Sequence, residues 1–391
     1  MKLRNTSLLL GMAALAACAD QSTEPVAARS APVHFAANGR GIEDSYIVVL
    51  KEGEDARAVA AVAGVTPAYV YSAALTGFSA ELNAGQLNAL RNHPAVDFVE
   101  QDQVAELSTT QSGATGGIDR TDQRARPLSG TYNYTNTASN VRAYIIDTGV
   151  RATHAEFRKT DGTTRAQNNY NATGDGNASD CNGHGTHVAG TVGGKTYGIA
   201  KAVMIRAVKV FTCSGSSANS TIIAGIDWVT ANHVKPAVAN LSLGGGASQA
   251  TDDAVNRLSN AGVFVAVAAG NSNVDACTTS PARASTVTTV ASSTSTDAKS
   301  SFSNWGSCVE LYAPGSSITS SWYTGDTATN TISGTSMASP HVAGVGALYK
   351  GTYGDAGYST IRTWLINNAT TSVITGNVTG TPNRLLFKAT L

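Results

Sequence analysis

The sequence is poor in charged residues. Only 14% of its 391 residues are charged, and the 27 acidic side chains balance the 27 basic ones. It therefore has no basic field that would attract nucleic acid, and no long run of like charge of the kind found in binding tails. We expect no nucleic-acid partner.

The motifs of two large functional classes are also missing. The chain has no HExxH helix and no CxxC pair, which are common signs of a zinc site. The three glycines at Gly244–Gly246 are not part of a GxxxxGK[ST] or GxGxxG motif. A nucleotide-binding protein is therefore only a rival hypothesis, which equilibrium binding of a labelled nucleotide would test.

The N-terminal apolar run is too short to span a bilayer. Leu8–Ala17 follows two basic residues, which is typical of an export signal. The sequence "LAAC", ending at Cys18, resembles the lipobox of bacterial lipoproteins, in which the cysteine is lipidated. An ordinary signal that is cut before this cysteine is the alternative. We predict a lipoprotein-type signal over 1–18 and a flexible tether over 19–43, which is rich in Ala, Ser and Pro.

Cysteine is scarce, and its spacing raises a question about metal. Besides Cys18, the chain has four cysteines: Cys181, Cys213, Cys277 and Cys308. An even number in an exported chain predicts two disulfides, with three possible pairings. Cys181 also starts a Cys-x-x-His-x-x-His array with His184 and His187, a spacing that suits zinc. A disulfide from Cys181 to Cys213 would remove the sulfur from such a site.

Two regions differ in their predicted structure. The pattern in residues 44–105 predicts the order strand–helix–strand–helix–strand, which is a small α+β unit. A polar stretch follows over 106–140. From "VRAYIID" (141–147) onward, strongly apolar strands alternate with helical periods. Such strands suit a mostly parallel sheet that is covered on both faces, with function at the carboxyl ends of the strands. We therefore predict an α/β three-layer sandwich for the larger region.

Three separate segments carry the parts of a hydrolytic triad. Asp147 ends an apolar strand, His184 lies between two glycines at the start of a helix, and Ser336 precedes an apolar helix. The positive end of that helix dipole favours negative charge beside the serine. A serine becomes a good nucleophile when an imidazole takes its proton, and a carboxylate orients the imidazole. Asn271 follows another strand, where its amide could donate to an oxyanion.

Four sequence blocks resemble those of subtilisin-like serine proteases (subtilases). They are "YIIDTGV", "NGHGTHVAG", "AAGN" and "SGTSMASPHVAG", and they occur in the family's order. The resemblance covers about 119–391 and is closest to the proteinase K branch, within it to aqualysin-like enzymes. It implies a subtilisin-like fold and a serine endopeptidase that needs no cofactor for its chemistry. A catalytically silent member of the fold that serves as a binding protein is the rival.

The resemblance implies a role for each of these residues. Asp147 orients and compensates His184, which acts as base and then as acid. Ser336 attacks the scissile carbonyl and forms the acyl-enzyme. Asn271 and the Ser336 backbone N–H bind the oxyanion.

Two further segments resemble the edges that hold a substrate as an added strand. They are "SLGG" (242–245) and "SGSS" (214–217). The implied substrate-binding residues are Ser242, Leu243, Gly244, Gly215, Ser216, Ser217, Ala269 and Gly270. Main-chain pairing of this kind favours extended or unfolded protein and peptide substrates.

Residues 44–108 resemble the ferredoxin-like inhibitory prodomain of subtilases, which serves as folding chaperone and then as inhibitor. The implied cut lies between Ser108 and Thr109, with the catalytic domain over 109–391 and no further domain expected after it. If Cys18 is lipidated, the precursor is held at the membrane through it alone. We then expect the mature protease, a monomer, to be released outside the cell or into the periplasm.

The resemblance also implies covalent and metal features. The implied disulfides are Cys181–Cys213 and Cys277–Cys308, and the implied cis peptide bond is Ser280–Pro281. Structural calcium is implied at Glu310, together with the carbonyls of Ser285 and Val287. Asp175 and Asp180 form a second candidate calcium site in a loop rich in Gly and Asn.

Overall fold

The computed structural model describes residues 30–36, 41–103 and 109–391. The chain divides into two compact units, Met1–Ala105 and Glu106–Leu391. The predicted signal with Cys18, most of the predicted tether, and Ser108 of the predicted cut lie outside the described residues. Within the described ranges, no helix combines the length and the hydropathy needed to cross a membrane.

The first unit is a five-stranded sheet with two helices. Its strands are β1 Val33–His34, β2 Gly41–Leu50, β3 Tyr69–Tyr71, β4 Gly77–Glu81 and β5 Val96–Gln103, and its helices are α1 Ala56–Val62 and α2 Ala84–Arg91. The strand order is β1-β5-β2-β4-β3, and β2 pairs antiparallel with both β4 and β5. Without β1, this is the ferredoxin-like order that the family resemblance implies.

Local signals explain where the two helices of this unit begin. The Asp55 carboxylate caps α1 by accepting a hydrogen bond from the Arg57 N–H at 2.8 Å. Asn83 and Gln86 form a reciprocal capping box at the start of α2. The apolar faces of both helices bury their side chains against the sheet, in a core that includes Val48.

The predicted tether is wrong at its C-terminal end. Val33 and His34 form a strand that pairs in parallel with Val99 and Glu100, and Ala31 is buried. β2 already begins at Gly41. The short segment was missed because two residues are too few to show an alternating apolar pattern, although pairing satisfies the backbone groups along β5.

The second unit contains fifteen strands within 109–391. They are β6 Thr109–Ser112, β7 Thr131–Tyr134, β8 Arg142–Asp147, β9 Ala166–Asn171, β10 Met204–Lys209, β11 Ala237–Leu241, β12 Gly245–Gly246, β13 Phe264–Ala268, β14 Thr279–Ser280, β15 Thr288–Ser293, β16 Leu311–Pro314, β17 Ile318–Ser321, β18 Thr329–Ile332, β19 Thr370–Thr371 and β20 Arg384–Leu385. Nine of them form one sheet in the order β19-β20-β16-β15-β13-β11-β8-β10-β9. Every pairing in it is parallel except β19 with β20.

Helices cover both faces of this sheet. The six α-helices of the unit are α3 Gly116–Asp122, α4 His184–Gly193, α5 Asn219–Asn232, α6 Gln249–Asn260, α7 Thr335–Tyr353 and α8 Tyr358–Asn368. Ile145 of β8 packs in a core with residues of α4 and α7, whereas its neighbour Ile146 packs in a core with residues of α5 and α6. Alternate side chains of one strand are thus buried on opposite faces, which confirms the predicted three-layer sandwich.

A small residue allows the long helix α7 to lie close to the sheet. A Cβ on Gly346 would come within 2.4 Å of the Phe264 ring. α7 is therefore held against β13, and its N-terminal end, which carries Ser336, is fixed beside the carboxyl ends of the strands.

The covalent features match those that the family resemblance implies. Cys181 is bonded to Cys213 and Cys277 to Cys308. The peptide bond between Ser280 and Pro281 is cis, as are Arg126–Pro127 and Lys235–Pro236.

Candidate active site

Asp147 and His184 are joined by a short hydrogen bond. Asp147 is the last residue of β8 and is fully buried. Its Oδ1 accepts a hydrogen bond from the Thr148 N–H at 2.8 Å and lies 2.7 Å from Nδ1 of His184. With the proton on Nδ1, the other ring nitrogen of His184 is free to act as a base.

The two glycines around His184 are required for this approach. Gly183 has a φ of +112°, and a Cβ there would come within 2.4 Å of the Trp322 ring. A Cβ on Gly185 would lie 2.1 Å from the Gly149 carbonyl oxygen. Larger residues would therefore push the start of α4, and His184 with it, away from Asp147.

The pKa of His184 reflects two opposing causes. Burial of the imidazole lowers its pKa, but the nearby negative charges of Asp147 and Asp180 and the hydrogen bond to Asp147 raise it, and the net pKa lies above the ordinary value of 6.5. A base is useful only when unprotonated, so hydrolysis that depends on His184 should rise with pH through this pKa.

Ser336 lies in the first turn of α7, opposite His184. Its hydroxyl donates to the Ser242 carbonyl oxygen at 3.2 Å, and the Ser242 hydroxyl donates back to the Ser336 carbonyl at 2.7 Å. Among the described residues no hydrogen bond joins Ser336 to His184, but both line one cavity of about 320 Å³. A rotation about the Cα–Cβ bond of Ser336 would redirect its hydroxyl.

Asn271 is oriented as a donor. Its Oδ1 accepts hydrogen bonds from the backbone N–H and the hydroxyl of Thr335, both at 2.8 Å. These contacts assign the other end of the amide, Nδ2, as the N–H₂ group. Nδ2 of Asn271 and the backbone nitrogen of Ser336 each lie 3.6 Å from the position that a Cβ would take on Gly334. The two nitrogen atoms therefore lie near one another beside Gly334.

A second cavity of about 290 Å³ adjoins Ser336. Its wall includes five of the residues named from the sequence: Leu243, Gly244, Ala269, Gly270 and Asn271. Gly270 has a φ of +106°, and a Cβ there would come within 2.3 Å of the Asn304 side chain. The cavity is lined mainly by small residues.

The remaining predicted substrate residues lie around the first cavity. Gly215, Ser242 and Gly244 line it together with His184 and Ser336. Ser216 is exposed beside Gly215, and the Ser217 hydroxyl donates to the Val210 carbonyl. The structure therefore brings both predicted edge segments to the triad.

Comparison with known proteins agrees with this geometry. The model of the subtilase family matches residues 139–385, and the model of peptidase inhibitor I9 matches residues 45–108. The chain belongs to the subtilase family.

Similar proteins include an extracellular serine proteinase of Thermus sp. (strain Rt41A), which is 48% identical over 99% of both chains. The subtilisin-like serine protease AsES of Sarocladium strictum is 45% identical over 88% of this chain and 89% of its own. The crystal structure of a cold adapted subtilisin-like serine proteinase is 51% identical and has a TM-score of 0.67, covering 71% of this chain and 99% of that one.

These matches establish the class of the protein. This subtilase is a serine endopeptidase, secreted as a zymogen with an I9 prodomain that inhibits it. Subtilases need no cofactor for catalysis.

The cysteine–histidine array of this subtilase does not form a zinc site. The sulfur of Cys181 is bonded to Cys213, and the His184 ring faces Asp147. Nε2 of His187 lies 3.0 Å from the Ile318 carbonyl oxygen. Burial lowers the pKa of His187 to about 4, so it stays neutral and serves in packing.

The Glu310 side chain does not fit the calcium site that the family resemblance implies. Its Oε2 accepts from the Thr289 N–H at 2.6 Å, and its Oε1 lies 3.6 Å from Nε of Arg362. The Val287 carbonyl accepts from the Tyr358 hydroxyl at 2.9 Å. Two side chains of α8, one of them a cation, thus engage ligand groups that calcium would need.

The second candidate calcium site does not fit either. The Asp175 carboxylate accepts from Nζ of the buried Lys209 at 2.8 Å and from the Asn171 amide at 2.7 Å. Both oxygens of Asp180 accept hydrogen bonds from the protein. A cationic Lys209 beside Asp175 replaces the charge that an ion would supply.

Glu310 gives a first prediction, on the pH dependence of stability. Burial raises the pKa of Glu310 to about 7, and its Thr289 and Arg362 contacts lower it only in part. Between pH 4.5 and 7 the folded state keeps a proton that the unfolded chain has released, so the free energy of unfolding falls as pH rises through this window. Glu310→Gln should remove this fall of about 3 kcal/mol in the free energy of unfolding. The variant should therefore be more stable than wild type at pH 8.

The measurement is urea unfolding of both proteins from pH 4 to 8, each in a Ser336→Ala background to prevent autolysis. If the free energy of unfolding of the two proteins depended on pH in the same way, the raised pKa of Glu310 would be contradicted. The same pair of proteins tests calcium at this position. If Glu310 holds no ion, chelation should change the Tm of both proteins equally.

Sequence reasoning missed three residues that build the site. Thr335 orients Asn271, while Thr148 and Asn240 bind groups beside the triad. Thr335 and Thr148 each lie next to a triad residue, inside the blocks that identify the family. That position was the available signal, although their partners lie far away in the sequence.

Proposed function

We propose that Asp147, His184 and Ser336 hydrolyse peptide bonds through an acyl-enzyme. The observation that carries this proposal is the 2.7 Å contact between Asp147 and His184, with Ser336 on the same cavity. The Ser336 hydroxyl turns from Ser242 toward His184, gives its proton to Nε2, and attacks the scissile carbonyl carbon. Asp147 stabilises the imidazolium that results.

The remaining steps use the same groups. The carbonyl oxygen becomes negative and accepts hydrogen bonds from Asn271 Nδ2 and the Ser336 N–H. His184 then gives its proton to the leaving amine, the C–N bond breaks, and the acyl-enzyme is left. Water, deprotonated by His184, attacks the ester and releases the acid with Ser336 restored.

We propose that substrates bind as an added strand. Gly215–Ser217 and Ser242–Gly244 border the cavity that holds the triad and would pair with the substrate main chain. Such pairing needs an extended segment, so unfolded regions of proteins would be cut first. The small-residue cavity beside Ala269 and Gly270 would receive the side chain before the scissile bond.

We propose that the zymogen cuts itself between Ser108 and Thr109. The I9 match ends at residue 108, which supports this position. In the catalytic unit Gln111 of β6 donates to the Thr196 carbonyl at 3.0 Å, a contact that would retain the new N-terminal segment.

We further propose that Cys18 is lipidated and anchors only the precursor, as the order of segments implies. The cut would leave the lipid on the N-terminal fragment and free a monomeric protease. Structural calcium stays a prediction from the family resemblance, without Glu310, Asp175 or Asp180 as ligands.

One experiment tests these proposals together. The full chain is exported and folded in a bacterial host, treated with a fluorophosphonate probe, and its intact masses are measured. We expect a C-terminal fragment that begins near Thr109 with one probe on Ser336, and an N-terminal fragment that carries a lipid on Cys18. A folded, processed protein without probe would favour the binding-protein rival, and an unlipidated N-terminal fragment would remove the anchor.

A further inference from the structure

Asp180 is a buried carboxylate next to the triad that the proposed mechanism does not use. It lies in the loop before α4 and is 7% exposed. Among the described residues no cation forms an ion pair with it. Its charge is instead compensated by five hydrogen bonds from backbone and hydroxyl donors, all within one short region of the fold.

One oxygen of Asp180 caps the helix that carries His184. The N-cap residue of α4 is Gly183, which has no side chain to accept from the first turn. Oδ2 of Asp180 accepts from the N–H and the hydroxyl of Thr186, at 2.9 and 2.5 Å. Oδ1 accepts from the Asn182 and Gly183 N–H groups, both at 2.9 Å. The carboxylate therefore fixes the turn from which His184 projects, at the positive end of the helix dipole.

Oδ1 of Asp180 also contacts the residue that directly follows the strand of Asp147. The Thr148 hydroxyl donates to it at 2.9 Å. Because the hydroxyl proton points to Asp180, its oxygen is free to accept from the Gly185 N–H, which it does at 2.8 Å. The residue after Asp147 and the residue after His184 are thus bridged by one hydroxyl. This bridge runs beside the Asp147–His184 contact, one residue further along each segment.

We propose that Asp180 is a positioning residue for catalysis, which holds the His184 imidazole on Asp147 through Thr148 and the first turn of α4. The inference rests on the proposed function of the triad. It adds a second negative charge beside the imidazole, where the positive charge develops during the reaction. The titratable groups around His184 are then Asp147 from β8, Asp180 from the loop, and His187 from α4. The pKa of His184, raised by Asp147 and Asp180 together, is consistent with this arrangement.

The test compares Asp180→Asn with wild type, with rates expressed per site titrated by the fluorophosphonate probe. Asparagine keeps the shape but loses the charge and one acceptor. We expect kcat to fall about 10- to 100-fold with KM changed less than about twofold, because a small misplacement of the base costs rate rather than binding. The acid limb of kcat/KM should move to lower pH. The matched control is Asp161→Asn, which should behave as wild type because the Asp161 carboxylate is exposed and accepts from the N–H and hydroxyl of Thr163.

A second pair of variants keeps the proposal testable if Asp180→Asn does not mature. Thr148→Val removes the bridge without changing charge, and should lower kcat with the acid limb unmoved. Thr148→Ser restores the hydroxyl and should restore the rate. A purely structural role would lower Tm and the number of titrated sites, but leave kcat per site unchanged, and that result would overturn the proposal. If wild type itself took up no probe, the proposed function would fail instead.

Discussion

Ser336→Ala is expected to lower kcat on a peptide substrate by 10⁵-fold or more, the scale established for subtilisins themselves. The substitution removes the oxygen that we propose forms the acyl-enzyme and leaves the folded site otherwise intact, since among the described residues this hydroxyl makes one hydrogen bond, to the Ser242 carbonyl at 3.2 Å. The same chain should remain uncut between Ser108 and Thr109, because self-processing uses the same nucleophile. Hydrolysis of a chromogenic peptide and the intact mass of the folded chain measure both effects.

The matched control lies three residues earlier. Ser333 is exposed, and its hydroxyl accepts from the Ser317 N–H at 2.8 Å, so Ser333→Ala should lose only that loop contact and still mature. Wild-type protease added to the Ser336→Ala precursor should restore the cut at the same bond, which would show that the bond is accessible. A Ser336→Ala protein that matures alone at the wild-type rate would contradict the assignment of the nucleophile.

The three residues of the proposed triad could be identified from the sequence because each lies in a contiguous block with a local reason for its position. Asp147 ends a strand whose residues after Arg142 are all buried, and His184 lies between two glycines at which a Cβ would clash with neighbouring atoms. The structure adds what brings them together. Parallel pairing of β8 with β10 and β11 fixes the carboxyl end of β8, and packing of α7 on the sheet brings Ser336 to the same edge.

Side-chain partners distant in sequence were not predictable. Glu310 was expected to bind calcium, but Arg362 lies near its carboxylate and Tyr358 binds the Val287 carbonyl. These two residues stand four apart on α8 and so share one helix face, yet nothing in the sequence relates that face to Glu310 or to Val287, which lies 71 residues before Tyr358. The contacts of Asp180 were unpredictable for the same reason. Its loop, rich in Gly and Asn, is typical of a calcium site, and only the structure shows that five protein donors bind the carboxylate.

Short strands were also not predicted from the sequence. The two-residue strand β1 has no detectable period, so its segment was assigned to the tether. The pattern predicted for residues 44–105 has one strand between its two helices, but the structure has two strands there, β3 and β4, with a bend between them. Hydrophobic periodicity identifies long buried elements and loses strands of two or three residues.

Asp147→Asn is expected to lower kcat about 10⁴-fold with little change in KM. An asparagine whose NH₂ group takes the position of Oδ1 would present a donor to Nδ1 of His184, where Asp147 presents an acceptor at 2.7 Å. An NH₂ group facing Nδ1 favours the tautomer with its proton on Nε2, which cannot accept a proton from Ser336. Since Asp147 raises the pKa of His184, its loss should also move the acid limb of kcat/KM to lower pH. The measurement is the pH profile of kcat/KM per titrated site, with Asp161→Asn as the control.

The relative size of the losses in kcat for the three single variants is a stronger test than any one of these losses. Ser336→Ala removes the nucleophile, Asp147→Asn gives the base the wrong tautomer, and Asp180→Asn leaves the triad complete but less firmly positioned. We therefore expect the loss in kcat to decrease in that order. The double variant Asp147→Asn/Asp180→Asn should lose less than the product of its single losses, because both side chains act through the same imidazole. Strictly multiplicative losses would mean that Asp180 acts on something other than His184.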